Sequence, residues 1–434
     1  MTLRSRLPLA AVTTLFGAFG LQGVAHAQAF YLEAQSARGA GRAFSGEAAD
    51  TGPDSLWWNP ASIAGQTDVS IVASASAIFP TGTVADKGTL IVRPGQPAAP
   101  VGGSAIARNP IDRGVLPTGA IAIPLNDRIA LGLTLTSPYS FTTDYDANSW
   151  TRYSADKTRL RTYDIQPSIA IAPTDWLRLG AGLNVEYTEA TLTNALPNVL
   201  ATLPDGSQSL KGNGWDVGWS VGAQFHNDTT TIGLSYKSSI KHHLTGDLVV
   251  SGLVGPLAAS NISLSNVQAT FNTPWQAIAG VRVRATKRLT LNAQAEAYGW
   301  SKFDFIRLGT PVNTAIPEDY RDSWSLAGGF DYDLTPKLTV RAGVQRVMTP
   351  TRNGQRDARV PDSNRWNLTT GGTYRLSPHF AIDAAAGYVA FADASIDRTT
   401  AAYAGTAAQT PILVSGELQN AHAVVLSLGG RVTF

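Results

Sequence analysis

The chain ends with Val424-Val-Leu-Ser-Leu-Gly-Gly-Arg-Val-Thr-Phe434, and this stretch decides the fold class. Apolar side chains recur at alternate positions up to the terminal phenylalanine, while Ser427, Arg431 and Thr433 lie on the other face. A period of two residues predicts a β-strand with one apolar and one polar face. The last strand of a soluble protein would alternate in the same way, so the remaining strands and their connections must decide between the two environments.

The same alternation recurs along the chain and predicts a further thirteen strands. In the run 177–187, for example, Leu179, Leu183 and Val185 share one face, and Asn184 and Glu186 share the other. The fourteen predicted strands cover residues 67–80, 116–125, 128–138, 160–173, 175–191, 212–226, 229–243, 270–286, 288–305, 321–334, 336–349, 363–377, 379–392 and 420–434. An even number of strands is what single-chain bacterial outer-membrane barrels have.

The connections between the predicted strands alternate strictly between short and long. Asn126-Asp127 and Ser377-Pro378 are examples of the short ones and carry ordinary turn residues. The long ones include 81–115, 139–159 and 393–419. Outer-membrane barrels separate periplasmic turns from extracellular loops in this way, whereas a soluble meander has no reason to do so. We therefore predict an all-β fold, a 14-stranded antiparallel transmembrane β-barrel over residues 67–434, whose polar faces line the lumen. The aromatic residues near the strand ends, Trp300 and Trp324 among them, are expected to form a girdle at the membrane interface.

The first 27 residues resemble a secretory signal peptide. Arg4 and Arg6 precede an apolar run from Leu7 to Leu21, and Ala25-His26-Ala27 fits the small-x-small cleavage pattern. A membrane anchor is the alternative, but a spanning helix needs about 20 apolar residues. The sequence predicts a mature chain that begins at Gln28 and is exported to the bacterial outer membrane.

The composition argues against several classes of function. The chain has no cysteine, so disulfides and thiolate metal sites are not available. The net charge is +2 and would be neutral without Arg4 and Arg6, which predicts no nucleic-acid surface. Gly218-Trp-Ser-Val-Gly222 matches the G-x-S-x-G pattern of serine hydrolases, but it falls inside an alternating strand instead of a strand-to-helix turn. We expect a monomer that is not an enzyme and needs no cofactor or metal.

Residues 28–66 do not alternate, and they carry a family resemblance. The run Ser36-Ala-Arg-Gly-Ala-Gly-Arg-Ala-Phe-Ser-Gly-Glu-Ala48, followed by Trp58-Asn-Pro-Ala61, resembles the N-terminal hatch of FadL-type long-chain fatty acid transporters. Tyr320-Arg-Asp-Ser-Trp324 and Arg359-Val-Pro-Asp-Ser-Asn-Arg-Trp366 are similar to later motifs of the same family. The resemblance implies that residues 28–66 plug the barrel as a hatch. It also implies passive uptake of long-chain fatty acids or similar hydrophobic molecules, which the extracellular loops around 81–115 and 139–159 would capture.

The resemblance also implies where ligand binding and gating take place. The third strand of the family kinks inward and opens the wall, and the matching residues here are Ser137, Pro138, Tyr139 and Phe141. Proline removes a ladder donor, so a local loss of pairing is expected. We hypothesise that Pro138 and Pro167 flank one wall defect, through which the ligand leaves sideways into the outer-membrane lipid. Continuous pairing of the third and fourth strands would contradict this hypothesis.

Two further groups of residues follow from the resemblance. Asn59, Pro60 and Ala61 are expected to hold the hatch in shape, and Arg321 is the candidate for binding an anionic ligand. Fatty acid transporters of the family carry a basic residue just beyond the fifth strand, where this chain has Glu189-Ala-Thr-Leu-Thr-Asn194. The import of aromatic hydrocarbons by the same fold therefore remains an alternative, and a general diffusion porin is a second one.

Overall fold

The computed structural model describes residues 29–434, so the predicted signal peptide lies outside the described residues. Within this range fourteen antiparallel strands form one sheet. They are β1 (Ser70–Asp86), β2 (Ile106–Arg108 and Gly114–Pro124), β3 (Ile129–Thr136 and Ser140–Asp144), β4 (Lys157–Thr174), β5 (Leu177–Leu196), β6 (Gly206–His226), β7 (Thr230–Lys237 and Lys241–Ser251), β8 (Ile262–Asn272 and Gln276–Arg284), β9 (Leu289–Tyr298 and Phe305–Leu308), β10 (Thr314–Pro317 and Ser323–Asp333), β11 (Leu338–Val347), β12 (Arg365–Ser377), β13 (Phe380–Phe391 and Ala394–Ile396) and β14 (Gly416–Thr433).

The sheet closes on itself, because β1 pairs with β14 along its whole length, from Ser70 with Thr433 to Asp86 with Gly416. The predicted all-β barrel of fourteen antiparallel strands is thus confirmed. Several strands are longer than predicted and extend past their predicted ends on the side of the long connections. In these extensions the backbone pairing continues beyond the apolar band, although the side chains no longer alternate between apolar and polar. β5, for example, runs to Leu196 instead of residue 191.

The apolar faces of the strands point outward and the polar faces point inward, which is the reverse of the arrangement in a soluble protein. On β5 the apolar Leu183 side faces outward with 49% exposure, while the polar Glu186 faces inward with 1% exposure. The same inversion holds for Leu428 and Ser427 on β14, at 63% and 5%. Apolar residues out and polar residues in is the pattern of a barrel that stands in lipid.

The long connections pack together above one end of the barrel. Four short strands form a separate sheet there, namely Leu90–Ile91, Ala99–Pro100, Thr400–Ala402 and Thr410–Leu413. An apolar cluster around the buried Trp150 joins this sheet to the connections 145–156 and 348–364. We call this assembly the roof. The short helix Gly255–Ser260 belongs to the connection between β7 and β8, and the short helix Trp300–Lys302 interrupts β9.

Residues 29–66, which we call the inner segment, contact the inward face of the wall on every side of the barrel. The segment contains four short helices, Ala37–Ala40, Glu47–Ala49, Pro53–Ser55 and Pro60–Ile63. Arg42 forms its central ion pairs, at 2.5 Å from both Glu47 and Asp50 and at 3.3 Å from Asp331 of β10. Nowhere in residues 29–434 does a helix combine the length and the apolar character that a membrane span needs.

Candidate functional site

An apolar cavity, the first cavity, lies between the inner segment and the roof. Inward-facing residues of β4 to β9 form most of its wall, and Phe30 contributes from the inner segment. Its apolar lining comprises Phe30, Phe141, Leu160, Ala190, Leu192, Leu210, Leu244, Val267, Ala269, Phe271, Phe303, Ile306 and Val360.

Aromatic rings surround Phe30 at the boundary between the first cavity and the inner segment. The Phe30 ring lies 5.7 Å from Phe141, 4.8 Å from Trp300 and 5.1 Å from Phe303, measured between ring centroids. Trp300 is fully buried in this cluster, so its predicted place in the interfacial girdle is wrong, whereas Trp324 is 43% exposed on the outer surface. The strand end that carries Trp300 turns inward as a short helix, which sequence alternation alone does not reveal.

Charged groups lie at the side of the first cavity nearest the roof. Arg359 reaches it from the connection between β11 and β12, and its Nη2 donates to the Asn194 Oδ1 at 3.4 Å. The Nη1 atom of Arg359 is buried and has no hydrogen-bond partner within residues 29–434. Glu318, also in the lining, lies 3.3 Å from Arg398. Burial raises the pKa of Glu318 to about 7, although the Arg398 guanidinium acts in the opposite direction.

The predicted kink of the third strand is present, and the inner segment completes its backbone hydrogen bonds. β3 is interrupted at Ser137–Tyr139, where three residues stand opposite two of β4. The Leu32 amide donates to the Pro138 carbonyl at 2.7 Å, and the Ser140 amide donates to the Phe30 carbonyl at 2.9 Å. The Ser137 hydroxyl donates to the Thr162 carbonyl at 2.5 Å. Phe30 therefore lines the first cavity and bonds the kink at the same time.

Ladder pairing is interrupted on the other edge of β3, where β3 lies beside β2. Ladder pairing of β2 with β3 ends at Gly119 and Leu135, and the strands meet again at the bridge of Ile111 with Thr143. The Asp112 amide also donates to the Thr142 carbonyl at 3.1 Å. We call the unpaired region between these contacts, residues 113–118 and 136–141, the wall window. Residues 114–118 of β2 keep their pairing with β1, so only one seam is open.

The hypothesis of one defect flanked by Pro138 and Pro167 is wrong for Pro167. Pro167 stands in register opposite Leu133 of β3, and pairing of β3 with β4 resumes directly beyond the kink at Ser140 and Arg161. The missing N–H of Pro167 interrupts the ladder to β5 instead, and the register there is unchanged on both sides.

Asn59, Pro60 and Ala61 lie together at the contact of the inner segment with β5, β6 and β7. The Asn59 Oδ1 accepts from the Ala61 amide at 2.9 Å and so caps the helix that Pro60 begins. The Asn59 Nδ2 donates to the carbonyls of Ala48 at 2.7 Å and Ala223 at 3.2 Å. The amide therefore joins two turns of the inner segment to the wall.

The structure brings Tyr139 and Phe141 to the aromatic cluster but places Arg321 elsewhere. The Arg321 guanidinium donates to the Thr349 carbonyl at 3.4 Å and lines a polar cavity near the outer rim together with Arg352 and Arg356. Its side chain is not part of the first cavity. The cations in the lining of the first cavity are Arg159, Lys211 and Arg359, none of which sequence reasoning proposed for ligand binding. Arg359 nevertheless opens one of the motifs quoted for the family resemblance.

Comparison with known proteins gives a consistent result. Residues 20–434 match the family model described as outer membrane protein transport protein (OMPP1/FadL/TodX). Outer membrane protein P1 of Haemophilus influenzae is 26% identical over 85% of this chain and 87% of its own length, and the long-chain fatty acid transport protein of Escherichia coli O6:H1 is 26% identical over 83% and 86%. A FadL homologue from Pseudomonas aeruginosa superposes with a TM-score of 0.81 at 24% identity, covering 93% of this chain and 99% of its own. The toluene transporter TodX of Pseudomonas putida has a TM-score of 0.64 at 15% identity, with coverage of 93% and 99%.

Proposed function

This chain belongs to the OMPP1/FadL/TodX family of outer-membrane transporters of hydrophobic compounds, and from that premise we propose that it passively admits long-chain fatty acids. In this proposal residues 28–66 are a hatch, residues 67–434 are the barrel, and the first cavity is the main binding site. Burying an acyl chain there yields roughly 25 cal/mol per Å² of apolar surface. Passage also requires that binding stay weak enough for release.

The position of Arg359 favours a ligand with a carboxylate over a hydrocarbon ligand. Its buried Nη1 lacks a partner within the described residues and borders a mostly apolar cavity, whose lining also includes Arg159, Lys211 and Glu318. A carboxylate at this atom would gain a charge-assisted hydrogen bond, while its chain lies against Leu244 and Phe271. The contact of Arg359 with Asn194 supplies a cation beside the end of β5, where the sequence of that strand has none.

Lateral release through the wall window is the second part of the proposal. Phe30 is in van der Waals reach of the first cavity and bonds the kink through its carbonyl. A ligand that displaces Phe30 would therefore weaken the contacts that back the wall window. The unpaired seam between β2 and β3 then leads from the lumen to the lipid.

Uptake of radiolabelled oleate by cells that lack their own fatty acid transporter tests the substrate. We expect Arg359→Gln to lower oleate uptake by about 10- to 100-fold, the range for loss of a hydrogen bond to a charged group. Uptake of oleyl alcohol should not change. Arg352→Gln, at the exposed outer rim, is the matched control. Equal loss of oleate and oleyl alcohol uptake would contradict the role of Arg359.

Crosslinking across the wall window tests the exit. Since the chain has no cysteine, the pair Thr118→Cys and Thr136→Cys can be bridged with a short bis-thiosulfonate reagent. We expect the bridge to block oleate uptake and a reductant to restore it. The control pair, Ala120→Cys and Thr134→Cys, lies within the paired ladder and should have no effect. Full uptake through a bridged window would refute lateral release.

Aromatic hydrocarbon import is the second candidate, and the ring cluster around Phe30 favours it. Toluene uptake that survives Arg359→Gln, with no oleate uptake by the wild-type protein, would establish this reading. A general porin requires an open aqueous lumen. Steady ion conductance of the wild-type protein in a planar bilayer would support it.

A further inference from the structure

A second cavity lies on the opposite side of residues 30–32 from the first cavity, and the two share no lining residue. Its walls come from β1, β12, β13 and β14 and from the inner segment. Most of the lining is apolar, with Leu32, Phe44, Ile78, Val389 and Val425 as the larger side chains.

Arg365, at the start of β12, projects into this second cavity. Its side chain is fully buried, and within residues 29–434 none of its Nε, Nη1 and Nη2 atoms has a hydrogen-bond acceptor. The nearest anion is the Asp362 carboxylate, 3.5 Å from Nη1. A guanidinium has five N–H donors, and buried charged donors without acceptors are rare in folded proteins. The Thr369 hydroxyl in the same lining is also buried without a partner in the described chain.

Glu33 is the other ionisable group in the lining, and both of its carboxylate oxygens accept from the Gln345 Nε2 at 2.9 Å. Burial, together with the neighbouring Glu296 carboxylate, raises the pKa of Glu33 well above its ordinary range. Gln345 thus occupies the Glu33 carboxylate, and Arg365 is the cation in the lining of the cavity.

We propose that the second cavity is a separate binding site for a single-chain amphiphile, whose carboxylate binds Arg365 and whose chain lies against Ile78, Val389 and Val425. The barrel then holds two ligand molecules, one on each side of Phe30 and Leu32. This inference rests on the proposed function, because both sites accept the same ligand class. It adds a second cation and predicts a stoichiometry that a single pocket cannot give.

Native mass spectrometry of the full chain with oleate counts the bound molecules directly. We expect two oleates for the wild type and one each for Arg365→Gln, for Ala385→Phe, which fills the second cavity, and for Leu244→Trp, which fills the first. The double variant Arg365→Gln with Leu244→Trp should bind none. Arg375→Gln, on the exposed part of β12, is the matched control and should bind two. Oleyl alcohol should bind the wild type and Arg365→Gln in equal number, since it has no charge for Arg365.

The outcomes separate this inference from the proposed function. One oleate on the wild type, lost in Leu244→Trp and kept in Arg365→Gln, overturns the second site and leaves the first intact. No oleate on the wild type overturns both. Two oleates on Arg365→Gln overturn the role of Arg365. Heat-dependent migration on gels shows whether each variant has a folded barrel, and Ala385→Phe tests the same cavity if Arg365→Gln does not fold.

Discussion

Replacing Asn59 by alanine should loosen the inner segment without unfolding the barrel. The substitution removes the helix cap made by Oδ1 and the two shorter hydrogen bonds made by Nδ2, to the carbonyls of Ala48 at 2.7 Å and Ala223 at 3.2 Å. Each of these interactions contributes about 1 kcal/mol. The sum, about 3 kcal/mol, corresponds to a roughly 100-fold increase in the population of the detached segment.

Hydrogen exchange followed by mass spectrometry measures this population directly. Amides of residues 44–64 should exchange about 100-fold faster in Asn59→Ala, because exchange there follows local opening. The barrel strands should keep the protection that they have in the wild type. Thr51→Ala removes an exposed side chain from the same segment and serves as the control. If residues 44–64 exchange within threefold of the wild-type rate, the Asn59 amide does not hold the inner segment, and the reasoning fails.

Three further predictions concern the wall, the first cavity and the lipid face. A Cβ added at Gly222 would clash with the Asn59 Oδ1, so Gly222→Ala should speed hydrogen exchange of the inner segment. Gly328→Ala should not, because a Cβ there would meet nothing within 4 Å. Dodecyl sulfonate, which stays ionised, should bind more tightly as the pH falls from 8 to 6. The reason is that Glu318, whose pKa is about 7, becomes protonated and removes a negative charge from a cluster that also contains Arg359, Arg398 and Asp357. Calorimetry of the Glu318→Gln variant should show no such pH dependence. Leu183→Arg should destabilise the barrel in bilayers by about 2–4 kcal/mol if it stands near the midplane, as measured by denaturant titration, while Leu200→Arg, in an equally exposed loop position, should have little effect.

The barrel could be predicted from the sequence because its signals are local. Alternating apolar and polar residues indicate the strands, and the alternation of short and long connections indicates a membrane barrel. Neither signal depends on contacts between distant parts of the chain. The strand ends were predicted less well, since backbone pairing of β5 and β6 continues above the apolar band to Leu196 and Gly206. The inward turn at Trp300 breaks the alternation rule, and its burial depends on Phe30, far away in the chain.

The site could be predicted only where one residue determines the local backbone. Pro138 marks the kink because it lacks an N–H, and Asn59 marks a helix start because its side chain can cap one. Pro167 also lacks an N–H, but its neighbours keep the register, so β4 stays paired with β3 at this position. Arg321 has a suitable charge, but its side chain points to the outer rim. Which cations face a cavity is decided by strands that meet only after the barrel closes.

The eight residues from Arg359 to Trp366 connect these features. Arg359 lines the first cavity and Arg365 lines the second, six positions further along. Between them, the Asp362 Oδ2 accepts from the Ala29 amide at 2.9 Å and from the Thr349 hydroxyl at 2.6 Å, so it fixes the start of the inner segment next to both arginines. A ligand that moves Phe30 acts on a chain that is anchored one residue earlier. In the proposed mechanism we therefore expect the displacement to pass forward along the segment, toward Leu32 and its bond with Pro138. One short motif thus positions two cations and holds the inner segment at Ala29, beside Phe30. The proposed exit at the wall window lies next to the part of the segment that this anchor leaves free to move.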